Sequence, residues 1–290
     1  MTAPRETAPP ETAPVAVVAI LEALAGEGRL LDTVVAPGDD PAALEVRRLQ
    51  TDAGAGPGDL AWSRRPSCAA AFGGTLLLCG PDGAGTDAPQ PGHIVAVCAN
   101  PRLAMARVVE RFFTELTVDR APEYADPGLA AAAAARGAWV MNASLGHNVT
   151  LGPHCTIGCT GMGYERDDDG RLVKFPQTGI VVIEDDVDIA AHATVQRAAI
   201  GTTVLRRGAK IGPHANVGHN VDIGEDVLVA GHAQIGGGSR IGAGAVVWQS
   251  AVVANGVTVG AGSVIGMSAA LRHDVGPGEV WAGNPARKLR

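Results

Sequence analysis

Aliphatic positions recur every six residues through the C-terminal half of the chain. Leu205, Ile211, Val217, Ile223, Val229, Ile235, Ile241, Val247, Val253, Val259 and Ile265 follow one another without a gap, and the next residue is Gly or Ala in nine of these eleven cases. A helix would scatter these positions around its axis, and an ordinary strand alternates every second residue. A period of six predicts a parallel β-helix, in which each hexapeptide is one short flat side with one aliphatic residue pointing inward and a small residue at the corner. Three sides close a triangular coil of roughly eighteen residues, and stacked coils bury one another's cores.

The same hexad starts at Leu145, Leu151 and Ile157, breaks from Cys159 to Gly179, and resumes at Ile183, Ile189 and Val195. It breaks again for four extra residues before Leu205. Solenoids carry such insertions on one face, often the binding face. Ahead of the repeat the pattern is mixed. Val17, Ile20, Leu21 and Leu24 make one side of a helix within Val15–Gly28, and Leu103–Leu116 behind Pro101 is an amphipathic helix. Leu30–Val35, Leu60–Trp62, Gly74–Cys79 and Ile94–Val97 are short apolar runs bounded by Gly and Pro, hence strands. The expected organisation is a disordered tail over 1–14, a small α/β domain over 15–125, a linker helix over 126–137, a β-helix over 138–270 and a C-terminal extension over 271–290.

Composition narrows the function. Aromatics are only 3% and Gly reaches 39 residues, which suits a thin layered β-helix. A net charge of −7 argues against nucleic acid as a partner. No apolar run approaches the length of a membrane span, and the N-terminus lacks the basic and apolar parts of a signal peptide. The five cysteines are odd in number and scattered, so a disulfide framework is not expected and a reducing cytoplasm is.

Several segments together resemble the UDP-3-O-acylglucosamine N-acyltransferases of the lipid A pathway. They are Gly161-Met-Gly-Tyr-Glu-Arg-Asp with Val173-Lys-Phe-Pro-Gln, then Val195-Gln-Arg-Ala-Ala, then Gly218-His-Asn-Val, in order and at family spacing. In front of them, Gly58-Asp-Leu-Ala-Trp and Asn100-Pro-Arg-Leu-Ala-Met-Ala-Arg match that family's nucleotide-binding domain. The resemblance covers about Val15 to Ser268. It implies a left-handed β-helix, a homotrimer with active sites in the clefts between subunits, and transfer of an acyl group from a thioester to an amine. The chain departs from the family in three places. Gly256, beside Asn255, stands where the family has a second active-site histidine. Trp62 keeps one of two uracil-stacking aromatics, whereas Cys68 replaces the other. The ending Trp281-Ala-Gly-Asn-Pro-Ala-Arg-Lys resembles coenzyme A-dependent hexapeptide acetyltransferases instead.

An amine that attacks a thioester loses a proton while the carbonyl oxygen gains charge, so the site needs a base and a donor aimed at that oxygen. His219, at a corner two residues after the inward Val217, is the expected base. Gly237, one coil on, is by resemblance the oxyanion donor. Asn220, His232, Asn255, Tyr164 and Trp62 are expected at the substrate, with His232 near the cleft of His219. Arg287 and Lys288 are expected at the phosphates of coenzyme A. His147, His154, His192 and His214 read as surface residues. His154, Cys155 and Cys159 fit no standard zinc spacing, so no metal and no permanently bound cofactor is expected. Gly80–Gly85 lacks the Lys-Ser/Thr ending of a phosphate loop. The expected function is an N-acyltransferase that takes its acyl group from acyl-CoA or acyl carrier protein and gives it to an amino sugar or related polar metabolite. Two alternatives remain open at this point: a catalytically decayed β-helix that only binds, and an O-acyltransferase.

Overall fold

The computed structural model describes residues 11–51, 54–65, 69, 72–84 and 89–290. Most of the expected N-terminal tail, the substitution at Cys68 and the Gly85 end of the glycine-rich loop lie outside these residues. The chain divides into two compact units. One runs to Val118 and includes Met162–Gln177; the other comprises Asp119–Gly161 and Thr178–Arg290. The division falls before the expected boundary at 125, and the first insertion clusters with the N-terminal unit rather than with the coils that flank it in sequence.

The N-terminal unit is built on a five-stranded sheet in the order Leu30–Val35, Ile94–Cys98, Leu76–Cys79, Asp59–Ser63 and Arg48–Leu49. The first pair is antiparallel and the others are parallel. Residues 76–79 and 94–98 are buried throughout, as inner strands covered on both sides must be. Helix Pro101–Phe112 starts where the Asn100 side chain accepts the Leu103 N–H and Pro101 presets the backbone. It buries Leu103, Met105, Val108 and Val109, while helix Val17–Gly26 buries Val17, Ile20, Leu21 and Leu24. The insertion forms a hairpin of Tyr164–Arg166 against Leu172–Lys174.

The other unit is a left-handed parallel β-helix, a parallel coil as the hexad predicts and of the hand that the family resemblance implies. Its three faces are parallel sheets, and the chain visits them in turn. The first face holds Thr202–Leu205, Asp222–Ile223 and Arg240–Ile241; the second Lys210–Ile211, Leu228–Val229 and Val246–Val247; the third Asn216–Val217, Gln234–Ile235 and Val252–Val253. On the third face Val217 pairs with Ile235, Ile235 with Val253 and Val253 with Leu271, a constant step of 18 residues. The inward aliphatics are at most 2% exposed from Leu205 to Ile265, and each such burial contributes about 1.5–3 kcal/mol. Small residues follow them for a reason visible at Gly212, where an added Cβ would lie 2.6 Å from the backbone N of Gly231 in the next coil. The C-terminal segment continues this stack instead of leaving it. Val280–Ala282 pairs with Val264–Ile265 on the second face, and Arg287–Lys288 turns back antiparallel onto it.

Candidate active site

The corner between the third and first faces carries the expected catalytic pair in one column. His219, Gly237, Asn255 and His273 occupy this corner on successive coils, each 18 residues after the last, in the register fixed by the strand pairs before them. The His219 ring is half-buried and lies against Gly237. A Cβ on residue 237 would sit 2.7 Å from His219 Nε2 and 2.8 Å from its Cε1. Glycine is therefore needed at 237 to make room for the imidazole as well as for any approach by a ligand. The Gly237 N–H has no backbone acceptor among the described residues, while its carbonyl accepts the Gly256 N–H at 3.0 Å.

Asn220 sets the state of this imidazole. Its Oδ1 accepts the Ala199 N–H at 3.0 Å, and its Nδ2 donates to the Ile200 carbonyl at 2.6 Å. A backbone donor and a backbone acceptor thereby fix which end of the amide is oxygen. That oxygen stands 3.0 Å from His219 Nδ1, so Nδ1 carries a proton and, in the neutral ring, Nε2 keeps its lone pair. The Asn220 backbone, at φ 58°, is tied down as well, its N–H donating to Thr203 Oγ1 at 2.8 Å. Asn220 is thus not free for the substrate role expected of it; its amide is committed to positioning His219.

The residues that hold Asn220 come from the four-residue break before Leu205. Arg197 anchors that segment from below. Its side chain is fully buried and Nε donates to the Gly179 carbonyl at 2.7 Å. Burial pushes the guanidinium pKa down to about 10, so it remains charged at neutral pH. The motif Val195-Gln-Arg-Ala-Ala and the pair His219-Asn220 therefore form one physical device, in which an anchored bulge presents two backbone groups to an amide that orients a ring.

Other expected site residues fall elsewhere. His232 lies at the corner between the second and third faces, stacked on His214 with ring centroids 4.9 Å apart, and not at the corner of His219. The hexad places both at corners, but two corners are available after each inward residue of neighbouring faces, and spacing within one coil separates them. Asn255 is exposed at the expected corner, one coil past Gly237, with Oδ1 over Gly236. His273, exposed in the top coil, was not singled out by the motifs; its signal is the 18-residue step alone.

Within the N-terminal unit, Trp62 is half-buried and packs on the Phe175 ring, centroids 6.0 Å apart. Arg64 stands 5.9 Å over Trp62 and Arg102 stands 5.2 Å over Phe175. Glu165 joins the two guanidiniums, at 2.7 Å from Arg64 and 3.4 Å from Arg102. Trp62 thus spends its ring partly on the hairpin, which leaves less of it for stacking a base. Tyr164 is partly exposed on the same hairpin, and its carbonyl accepts from Arg102 at 3.2 Å.

At the C-terminus, Lys288 is paired with Glu279 at 2.6 Å rather than held out for a phosphate. Glu279 also accepts from the Trp281 indole at 2.8 Å and the Gly276 N–H at 3.0 Å. Arg287 is exposed and donates to the Ala286 carbonyl. Cys155 is buried in the β-helix core, where burial pushes its thiol up to about 11, so it does not share a site with the exposed His154. No helix among the described residues is long and apolar enough to cross a membrane.

No family model matches the chain. Curated relatives do match it. A UDP-3-O-acylglucosamine N-acyltransferase of Syntrophobacter fumaroxidans is 51% identical over 85 residues, covering 29% of this chain and 24% of the relative. One of Syntrophotalea carbinolica is 29% identical over a 239-residue alignment, covering 63% of this chain and 65% of the relative. The chain thus spans about a quarter of the first relative's length and just under two thirds of the second's. Among solved structures, an Arabidopsis UDP-N-acetylglucosamine acyltransferase is 16% identical with a TM-score of 0.38, over 52% of this chain and 72% of its own. The family resemblance read from the motifs is borne out by the names these relatives carry.

Proposed function

We propose that the chain is an acyltransferase that moves an acyl group from a thioester to the amine of an amino sugar, working in the cytoplasm as a homotrimer. The observation that carries this reading is the orientation of His219 by Asn220, which in the neutral ring makes Nε2 the nitrogen with the lone pair, at a corner beside Gly237. In this reading Nε2 takes a proton from the attacking amine nitrogen as the new C–N bond forms. The Gly237 N–H donates to the carbonyl oxygen as negative charge gathers there. The imidazolium then returns its proton to the departing thiolate as the C–S bond breaks, and the amide and free thiol leave.

The acyl donor is coenzyme A or an acyl carrier protein, each presenting the same thioester. The commitment of Lys288 to Glu279 removes one reason to favour coenzyme A. The test is incubation of the full chain with a 3-O-acylated amino-sugar nucleotide and, in separate arms, acetyl-CoA, longer acyl-CoAs and acyl carrier protein thioesters. Amide formation by mass spectrometry with one donor, lost in His219→Ala, is the expected result. An ester product would move the assignment to a hydroxyl acceptor. No product with any donor, or full activity in His219→Ala, would overturn it.

A further inference from the structure

The corner between the second and third faces carries four histidines on four successive coils. His154, His192, His214 and His232 stack with ring centroids 5.3, 4.8 and 4.9 Å apart and interplanar angles of 22°, 9° and 5°. All four are exposed. Each takes a left-handed backbone, with φ of 55°, 59°, 57° and 60°. That backbone does not itself call for histidine. At the equivalent positions of the other two corners the left-handed residues are Asn148, Asp186, Asn220 and Asp226 or glycines such as Gly244 and Gly256. Among the left-handed corner positions of the described residues imidazole enters only at this edge, and there after each of the first four strands of the second face.

We propose that this ladder binds a late first-row divalent metal ion, with two imidazoles from adjacent coils per ion and water in the remaining positions. Neutral imidazole is a favoured ligand for zinc, nickel and copper. A metal–nitrogen bond is about 2.0–2.1 Å, so two nitrogens on one ion lie no more than roughly 4 Å apart. In the stacked rotamers no three metal-binding groups converge among the described residues, and the chelate forms when two neighbouring rings turn toward each other. Gly137 lies against the His154 ring, where an added Cβ would sit 2.9 Å from Nδ1, so the turn is freest at His192, His214 and His232. The chain neighbours of the four rings are Pro153 and Cys155, Ala191 and Ala193, Pro213 and Ala215, and Gly231 and Ala233, none of which carries a positive charge.

The test uses the full chain without an affinity tag, titrated with zinc chloride by calorimetry in a non-chelating buffer. Zinc should bind at about pH 7.5 and at least about ten-fold more weakly at about pH 5.5, because protons compete for the ring nitrogens. His192→Asn combined with His214→Asn interrupts every adjacent pair while keeping a residue that the same backbone accepts at Asn148 and Asn220. It should weaken binding by about ten-fold or more with an unchanged melting temperature. Independently of any variant, zinc should shift the imidazole resonances of His154, His192, His214 and His232 and leave those of His93, His147 and His273 in place. Absence of zinc binding at about 1 mM, undiminished binding in the double variant, or shifts confined to the other histidines would each overturn the proposal.

Discussion

The imidazole of His219 occupies the space that a side chain on Gly237 would need, with Nε2 2.7 Å from the position of the missing Cβ. The two residues are one coil apart on the same corner, so a change in one is felt first by the other. Gly237→Ala should displace the ring and reduce acyl transfer by about a hundred-fold, the scale of a lost general base. The coil itself should stand, so far-UV circular dichroism is expected to be unchanged. Activity within about two-fold of the parent would remove His219 from the mechanism.

Asn220 should act through histidine rather than on substrate. In Asn220→Asp a carboxylate faces Nδ1 and favours the protonated ring over the neutral one. The active, neutral ring then appears only at higher pH, and the acid limb of the kcat/KM profile should move upward. Asn220→Ala instead leaves the Ala199 N–H and Ile200 carbonyl without their partner and should lower kcat with little change in KM. A pure KM effect in both variants would return Asn220 to substrate binding.

Arg197 is fully buried and holds the segment that holds Asn220. Arg197→Met keeps much of the volume but leaves the Gly179 carbonyl without the guanidinium. Leaving a buried acceptor unsatisfied costs about 1–3 kcal/mol, which chemical denaturation should read. The acyl-transfer rate should fall with it, and adding a substrate-saturating concentration should not restore it.

Glu279 should govern the C-terminal closure of the β-helix as a function of pH. Hydrogen bonds from Lys288, then Trp281, hold its carboxyl at about 2, against an ordinary value of 4.5. A depressed carboxylate contributes stability above its unfolded pKa and loses it as pH falls through the folded one. The closure should therefore be fully held above about pH 4.5 and released as pH approaches about 2. The Trp281 indole N–H resonance reports this directly, since it donates to Glu279 Oε2. In Lys288→Ala the transition should move to higher pH; an unmoved transition would separate Lys288 from the closure.

Much of this architecture was legible along the chain because it is nearly one-dimensional. Each hexapeptide meets its neighbours a fixed step away, so Val217, Ile235 and Val253 announce their own pairing through an 18-residue period. The same step put His219 and Gly237 at one corner before any coordinates. The N-terminal helices and strands were readable for the local reasons of capping, apolar runs and glycine stops, and helix Pro101–Phe112 starts at the expected proline.

Side-chain partners were decided by folding alone. Nothing in the spacing tells that a four-residue break supplies Ala199 and Ile200 to Asn220, since irregular backbone has no period. The insertion's attachment to Trp62, Arg64 and Arg102 rests on contacts far apart in sequence, 101 residues for Arg64 with Glu165 and 63 for Arg102 with Glu165, beyond the reach of any local pattern. His232 shows the difference most plainly. Its offset of 13 residues from His219 falls short of the 18-residue step and so already assigns it another corner, but its stacking on His214 is set only by the closed coil.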